Sequence, residues 1–306
     1  MGEERQEATN DLAALVQGMT HGDGPTPAAW PGLTLFRSGT TLPRQPVTYM
    51  PSLCVVLQGQ KRVWVGDEAL VYDPLNYLVA TLGLPLEFEI QKAAPKEPLL
   101  ALVLELDLAA VGQLLVDLDD DAEAGIPTET HGPALFVSTL DEDLRAALGR
   151  LLAAASKPRD LEILGPSINR EILYRVLSGE QGRLLRSLMV GDSATHRISR
   201  VVRHLAEHCT EHWTIDGIAA RWGMSTSTLH HSFRRVTGMS PLQFIKRTRL
   251  HKARMMMFER GLGAAEAAFE VGYESPSQFS REFKRLFGMS PSRAAEALQA
   301  TSGAPP

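Results

Sequence analysis

One pattern is written twice between residues 215 and 291, and it restricts the fold of that stretch more than any other feature. The first copy reads Ile218-Ala219-Ala220-Arg221-Trp222-Gly223-Met224-Ser225, then Leu229, Phe233-Arg234-Arg235 and Gly238-Met239-Ser240-Pro241. The second reads Ala267-Ala268-Phe269-Glu270-Val271-Gly272-Tyr273, then Phe279, Phe283-Lys284-Arg285 and Gly288-Met289-Ser290-Pro291. The turn glycines lie 49 residues apart (223 and 272) and the phenylalanines 50 (233 and 283), so the second turn is one residue longer. A repeat of this kind marks a duplicated supersecondary unit.

Each copy has the grammar of a helix-turn-helix. A short helix ends at Gly223 or Gly272, where glycine supplies a left-handed turn without a Cβ penalty. Ser225 then caps the next helix; in the second copy Ser275 caps and Pro276 takes the first helical position, where a missing N–H costs nothing. Leu229 and Phe233, and likewise Phe279 and Phe283, lie four apart and share one apolar face. His230, His231, Arg234 and Arg235 lie largely off that face, as do Ser280, Arg281, Lys284 and Arg285 in the second copy. Gly238 and Gly288 end these helices, and Ser240-Pro241 and Ser290-Pro291 start new ones.

These motifs, their spacing and their order make residues 196–293 resemble the DNA-binding domain of AraC/XylS-type bacterial transcription regulators. The resemblance implies two helix-turn-helix motifs joined by one long helix, here Pro241 to Phe258, with Leu250, Ala253 and Met257 at helical spacing. It implies double-stranded DNA as partner, with two recognition helices entering successive major-groove segments about 34 Å apart. The base-facing positions it carries over are Ser227, His230 and His231 in the first helix and Ser277, Ser280 and Arg281 in the second. Arg281 is the foremost of these, because arginine donates two hydrogen bonds to guanine O6 and N7. Arg234, Arg235, Lys284 and Arg285 are expected at phosphates or in close ion pairs. The chain departs from the family at two points. Two histidines stand where longer polar side chains are common, and neutral histidine reads bases poorly at a distance, so this helix is expected to contribute less specificity. Ala267 replaces a larger aliphatic residue, so looser packing of the second motif is expected.

Charge supports the division. Residues 196–293 hold 16 Lys+Arg and 8 Asp+Glu, a net of +8, which leaves −13 for the rest of a chain whose total is −5. A basic module beside an acidic one fits phosphate contact by one part only. Two distant cysteines, Cys54 and Cys209, make no disulfide scaffold and fit a reducing cytoplasm. The acidic start lacks the apolar segment of a signal peptide, and no apolar run reaches membrane-spanning length.

Upstream of residue 106 the pattern is that of short strands. Runs at Leu53–Leu57, Lys61–Val65, Ala69–Tyr72, Tyr77–Thr81, Leu86–Ile90 and Leu99–Leu104 suggest an antiparallel barrel or sandwich. Gly59-Gln60 and Gly66-Asp67 sit where two-residue hairpin turns carry a first glycine. Pro51-Ser52-Leu53-Cys54-Val55-Val56-Leu57-Gln58-Gly59, Lys61 and Asp73-Pro74 leading to Tyr77-Leu78 resemble the cupin-like N-terminal domain of one AraC subgroup. That resemblance implies a small-molecule effector inside the barrel, with Trp64, Tyr72, Tyr77 and Phe88 as candidate lining; the alternative is that these rings fill the core. No histidine lies between Leu33 and Leu106, which argues against a metal-dependent cupin enzyme. Cys54, in an apolar run, reads as a packing thiol.

The expected class is therefore α+β: an N-terminal cupin-like antiparallel β-barrel with helices over 1–178, a joining segment over 179–195, and an all-α domain with two helix-turn-helix motifs over 196–306. Over residues 1–29 a weak helix that carries Leu12, Leu15 and Val16, followed by a Gly/Pro loop, precedes the barrel. After it come a helix over Leu108–Leu118 capped by Asp107, an acidic loop over Asp117–Glu123, a helix capped by Asp141 with Leu144, Ala147, Leu148, Leu151 and Ala155 on one face, and a helix opened by Pro166 and ending near Gly179. In the family such helices dimerise, so a homodimer is expected, with RNA polymerase as a further implied partner. No cofactor and no enzymatic activity are implied. Three other readings compete. One is a DNA-binding regulator whose N-terminal domain only dimerises or binds a protein. Another is an alkyl-transfer repair protein, for which two distant cysteines are too few. The third is a zinc hydrolase built on the H-x-x-E-H sequence of His204, Glu207 and His208, with His212 on the same face.

Overall fold

The computed structural model describes residues 2–119, 132–189 and 194–294 of the 306. Helix α1 (Gly2–Met19) precedes strands β1 (Gly24–Pro27), β2 (Leu33–Ser38), β3 (Leu42–Tyr49), β4 (Ser52–Gln58), β5 (Gln60–Val65), β6 (Glu68–Tyr72), β7 (Asn76–Ala80), β8 (Leu84–Lys92) and β9 (Leu99–Glu105). Then come α2 (Leu108–Asp119), β10 (Leu135–Thr139), α3 (Glu142–Ala155), α4 (Pro158–Ser178) and α5 (Gly182–Met189). The remainder is helical: α6 (Ala194–Glu207), α7 (Ile215–Arg221), α8 (Thr226–Thr237), α9 (Pro241–Glu259), α10 (Ala264–Glu270) and α11 (Pro276–Phe287). The α+β class is the one expected.

The strands form two antiparallel sheets, one in the order β1-β2-β9-β4-β7-β10 and one in the order β3-β8-β5-β6. Strand β4 explains the arrangement. Its residues Ser52 to Leu57 are all buried, because both faces of the strand are covered. Leu53, Val55 and Leu57 pack under α1, α3 and α4, while Cys54 and Val56 face the second sheet. An unbroken apolar run is what two covered faces require, and each fully buried Leu or Val there is worth about 1.5–3 kcal/mol. The helices follow their caps. The Asp107 carboxylate accepts from the Ala109 and Ala110 N–H groups, and that of Asp141 from Leu144 N at 2.8 Å. Leu144, Ala147, Leu148, Leu151 and Ala155 are all buried.

Four expectations need correction. Gly66-Asp67 does join β5 to β6, but Gly59 makes no hairpin: β4 and β5 belong to different sheets, and Gly59 (φ 88°) turns the chain from one to the other. A Cβ there would meet Lys92 O at 2.5 Å. Pro166 does not open a helix; it lies inside α4, whose first position is taken by Pro158. Leu15 is exposed, and Ala13 takes its place in the core beside Leu12 and Val16. The Gly/Pro loop expected after α1 holds β1, paired with β2. The acidic loop lies outside the described residues beyond Asp119, and Asp117 belongs to α2.

The first helix-turn-helix shares a core with the barrel. Ile198, Val202, Ile218, Leu229, Phe233 and Phe244 fall in the same apolar cluster as the residues between the sheets. The backbone is stitched across as well, with Ala134 N donating to Val236 O at 2.9 Å. The second motif has a core of its own, built on Leu250, Ala253, Met257, Ala267, Phe279 and Phe283.

Candidate nucleic-acid interface

The turn chemistry places both recognition helices. Gly223 (φ 60°) and Gly272 (φ 84°) adopt the left-handed conformation that ends α7 and α10. Ser225 Oγ accepts from Thr228 N at 3.1 Å and Ser275 Oγ from Gln278 N at 3.3 Å, capping α8 and α11. Gly238 and Gly288, both at φ 74°, close those helices. Ser240 and Gln243 then form a reciprocal capping box at the start of α9, with Pro241 at the first helical position. Leu229, Phe233, Phe279 and Phe283 are fully buried.

The opposite faces are free for contact. Ser227, His230, His231, Arg234 and Arg235 on α8 are exposed, as are Ser277, Arg281, Lys284 and Arg285 on α11; Ser280 is half-buried. Among the described residues, Arg234 alone of these reaches an acid of the barrel domain, Asp67 at 3.8 Å, and both side chains remain open to solvent.

Two polar devices hold the motifs in fixed relation. Arg249, on α9, donates to three backbone carbonyls: Cys209 O at 2.6 Å and Glu211 O at 2.7 Å after α6, and Gly272 O at 3.1 Å in the second turn. One guanidinium therefore ties the first lobe to the second, and its planar fork suits that task as a lysine would not. Glu282 of α11 accepts from Lys246 Nζ and from the Tyr273 hydroxyl, each at 2.8 Å, and from Gln278 Nε2 at 3.3 Å. Burial alone would raise the Glu282 carboxyl; these three donors outweigh it and hold the group below the ordinary carboxylate range. A cavity of about 340 Å³ opens between the lobes, bordered by His212, Trp213, Lys246 and Tyr273. Sequence reasoning missed Arg249, Lys246 and Glu282; nothing local separates Arg249 from its neighbours Arg247 and Lys252.

Other candidate sites fare differently. His204 stacks on His208 at 4.3 Å and meets the edges of Trp213 and Trp222. His208 pairs with Glu211 at 2.8 Å rather than with Glu207. Among the described residues no three His, Cys, Asp or Glu side chains gather as a metal site, so the zinc-hydrolase reading of His204, Glu207 and His208 loses its geometric basis. Of the four candidate lining rings, two do not face the barrel interior. Trp64 lies on the outer face of β5, between Arg44 (4.4 Å) and Arg62 (5.6 Å), because Val63 and Val65 take the inner positions. Tyr77 packs on the helix-covered side of the six-stranded sheet. Tyr72 and Phe88 do lie between the sheets. There Tyr72 meets the Tyr49 hydroxyl at 3.0 Å, and Phe88 takes the Lys61 ammonium over its ring at 4.9 Å. Burial pushes the Cys54 thiol up, which disfavours the thiolate form.

Paired helix-turn-helix motifs on one joining helix, carried by a two-sheet β domain, define a DNA-binding module with an appended accessory domain. The model of the AraC-type transcriptional regulator N-terminus matches residues 29–184, and a helix-turn-helix domain model matches residues 218–297. The chain belongs to the AraC-type transcriptional regulators. Among similar proteins, the HTH-type transcriptional activator RhaS of Escherichia fergusonii is 29% identical over 167 residues, 54% of this chain and 59% of RhaS. The HTH-type transcriptional regulator ExsA of Pseudomonas aeruginosa is 28% identical over 123 residues, 40% of this chain and 44% of ExsA. The chain thus spans about half the length of these curated relatives. The structure of unsaturated fatty acid-bound ToxT from Vibrio cholerae covers 90% of this chain and 97% of its own at a TM-score of 0.58 and 13% identity, a likeness of fold.

Proposed function

We propose that this protein is a sequence-specific, double-stranded-DNA-binding regulator of transcription and not an enzyme. The observation that carries the reading is the pair of exposed polar faces on α8 and α11, held at a fixed separation by Arg249. In this reading Ser227, His230, His231, Ser277, Ser280 and Arg281 face bases, and Arg234, Arg235, Lys284 and Arg285 meet phosphates. Arg281→Ala is expected to cost about 1–3 kcal/mol on the preferred site and to relax one base position, whereas Lys284→Ala weakens all sequences alike and lowers the salt slope by about 1. Selection of DNA fragments from random sequence by the full chain, repeated for both variants, checks this. Recovery of no preferred sequence by the parent would overturn the reading.

The barrel is the sensing part of the proposal. A small molecule with an apolar body would lie between the sheets against Tyr72 and Phe88; the fatty acid carried by ToxT is a precedent for such a body. A ligand that binds the folded state raises the melting temperature of the full chain, so a thermal-shift screen tests it. If no ligand shifts melting while sedimentation shows a dimer built through α3 and α4, the barrel domain only dimerises or binds a protein such as RNA polymerase. Action on DNA places the protein in the bacterial cytoplasm in this reading. No described helix is long and apolar enough to cross a membrane.

A further inference from the structure

A cavity of about 490 Å³ lies where β3 and β8 of the barrel domain meet α9 and α11 of the DNA-binding domain; neither Tyr72 nor Phe88 lines it, and it reaches the recognition face of α11 only at Arg285. Its charged lining is unequal. Arg44 comes from β3, Lys246 and Arg247 from α9, and Arg285 from α11; against these four cations stand two carboxylates, Glu87 of β8 and Glu282 of α11. Glu87 is shared between Arg44 and Arg247, the latter at 3.2 Å. Glu282 is engaged by Lys246 at 2.8 Å. Arg285 has no hydrogen bond or ion pair among the described residues, and Arg44 is held in place by stacking on Trp64 at 4.4 Å. The walls thus carry a net excess of two positive charges, in a recess large enough for a small organic ion.

We propose that this interdomain cavity binds a small polyanion, a phosphate ester or a polycarboxylate, which bridges Arg44 of the barrel domain and Arg285 of the second recognition helix. Arginine suits both anions because its planar fork donates two parallel hydrogen bonds to a carboxylate or a phosphate. The bridging anion fixes one pose of the barrel against the second motif. It also takes up Arg285, a side chain assigned above to the DNA backbone, so anion and DNA compete. The competition rests on the DNA-binding reading, whereas the binding of the anion does not.

Calorimetry on the full chain without DNA tests the site directly, with pyrophosphate and citrate as probes in magnesium-free buffer and sodium chloride at matched ionic strength as control. One saturable site is expected for at least one probe, and which probe binds distinguishes phosphate from carboxylate recognition. Arg44→Gln is expected to weaken the probe about tenfold or more while leaving DNA affinity without probe within about twofold, because Arg44 lies outside both motifs. Glu87→Gln removes the opposing carboxylate and is expected to tighten the probe several-fold. In DNA titrations, saturating probe is expected to raise the apparent dissociation constant of the parent about fivefold or more beyond the chloride control, and to leave Arg44→Gln unaffected. Absence of saturable heat with both probes overturns the site. Equal binding by the parent and Arg44→Gln overturns the bridge. Binding with no effect on DNA overturns the competition.

Discussion

The two helix-turn-helix motifs are copies in sequence and unequal in surroundings. The first is built into the barrel domain: its Phe233 lies in one apolar cluster with Val56 and Leu86, and Gly238 touches the hairpin at Gly66 so closely that a Cβ on Gly66 would meet Gly238 O at 2.4 Å. The second stands on its own small core and is attached through α9, Arg249 and Glu282. The first motif presents His230 and His231 beside Arg234 and Arg235; the second presents Arg281, Lys284 and Arg285. The lesson is that a duplicated unit can be divided between anchoring and recognition. The anchored copy carries two exposed cations on its second helix, and the copy that carries three is the one whose apolar core is separate from that of the barrel.

The largest expected effect that tests this division is on stability. Phe283→Ala and Phe233→Ala each remove a fully buried ring and should cost about 3–5 kcal/mol. Their reach should differ. Phe283→Ala is expected to expose the amides of α10 and α11 to hydrogen exchange while the barrel stays protected, whereas Phe233→Ala should loosen the barrel strands as well. Uniform loss of protection in both variants would erase the distinction between the lobes.

Acid should find the second lobe first. His251 of α9 is buried against Phe287 with its Nε2 unpartnered. Burial first, then the charges of Arg254 and Arg247, lower its pKa from 6.5 to about 4. Between those values the unfolded chain takes a proton that the folded chain excludes, so stability is full above about 6.5 and declines as pH falls toward 4. The loss reaches up to about 3 kcal/mol. Denaturant unfolding at pH 7 and pH 5 should show this decline in the parent and a shallower one in His251→Leu; equal slopes would remove His251 from the account.

The turn glycines differ in the same sense. Both are left-handed, so an alanine costs about 1–2 kcal/mol at either. At Gly223 an added Cβ meets nothing, but at Gly272 it would strike Thr210 O at 2.4 Å and crowd the Arg249 guanidinium at 3.3 Å. Gly272→Ala should therefore cost more than Gly223→Ala and should also weaken DNA binding, since it disturbs the tie between the lobes. Comparison of the two melting temperatures and operator affinities decides this.

What the sequence disclosed and what it hid follow from the range of the interactions. Caps, turn glycines and the Leu229/Phe233 and Phe279/Phe283 faces are local, and each falls where the residues indicated. The barrel was legible as strands but not as sheets. Gly59 looked like a hairpin turn because sequence shows two apolar runs around a glycine and not that they part into different sheets. Strand β10 pairs with β7 across more than fifty residues, a contact no local pattern announces. Trp64 and Tyr77 were misplaced because alternation says which residues share a face, not which face the helices cover. Arg249 was invisible because its three partners are backbone carbonyls brought together only by the fold.

The smallest expected effect concerns how the two motifs begin. Thr214 caps α7, its hydroxyl accepting from Gly217 N at 3.1 Å, whereas α10 starts at Gly263 with no side-chain cap. Thr214→Ala should cost about 1 kcal/mol, and Gly263→Ser should gain a few tenths, since glycine at a cap already loses little against serine. A Cβ on Gly263 meets nothing within 4 Å, and its φ of −66° suits any residue, so no strain offsets the gain. If the second motif is the more weakly held, even this small gain should appear as slower exchange of the α10 amides, while the barrel and α8 remain unchanged. A stabilisation that spread to the barrel would mean that the lobes unfold as one unit.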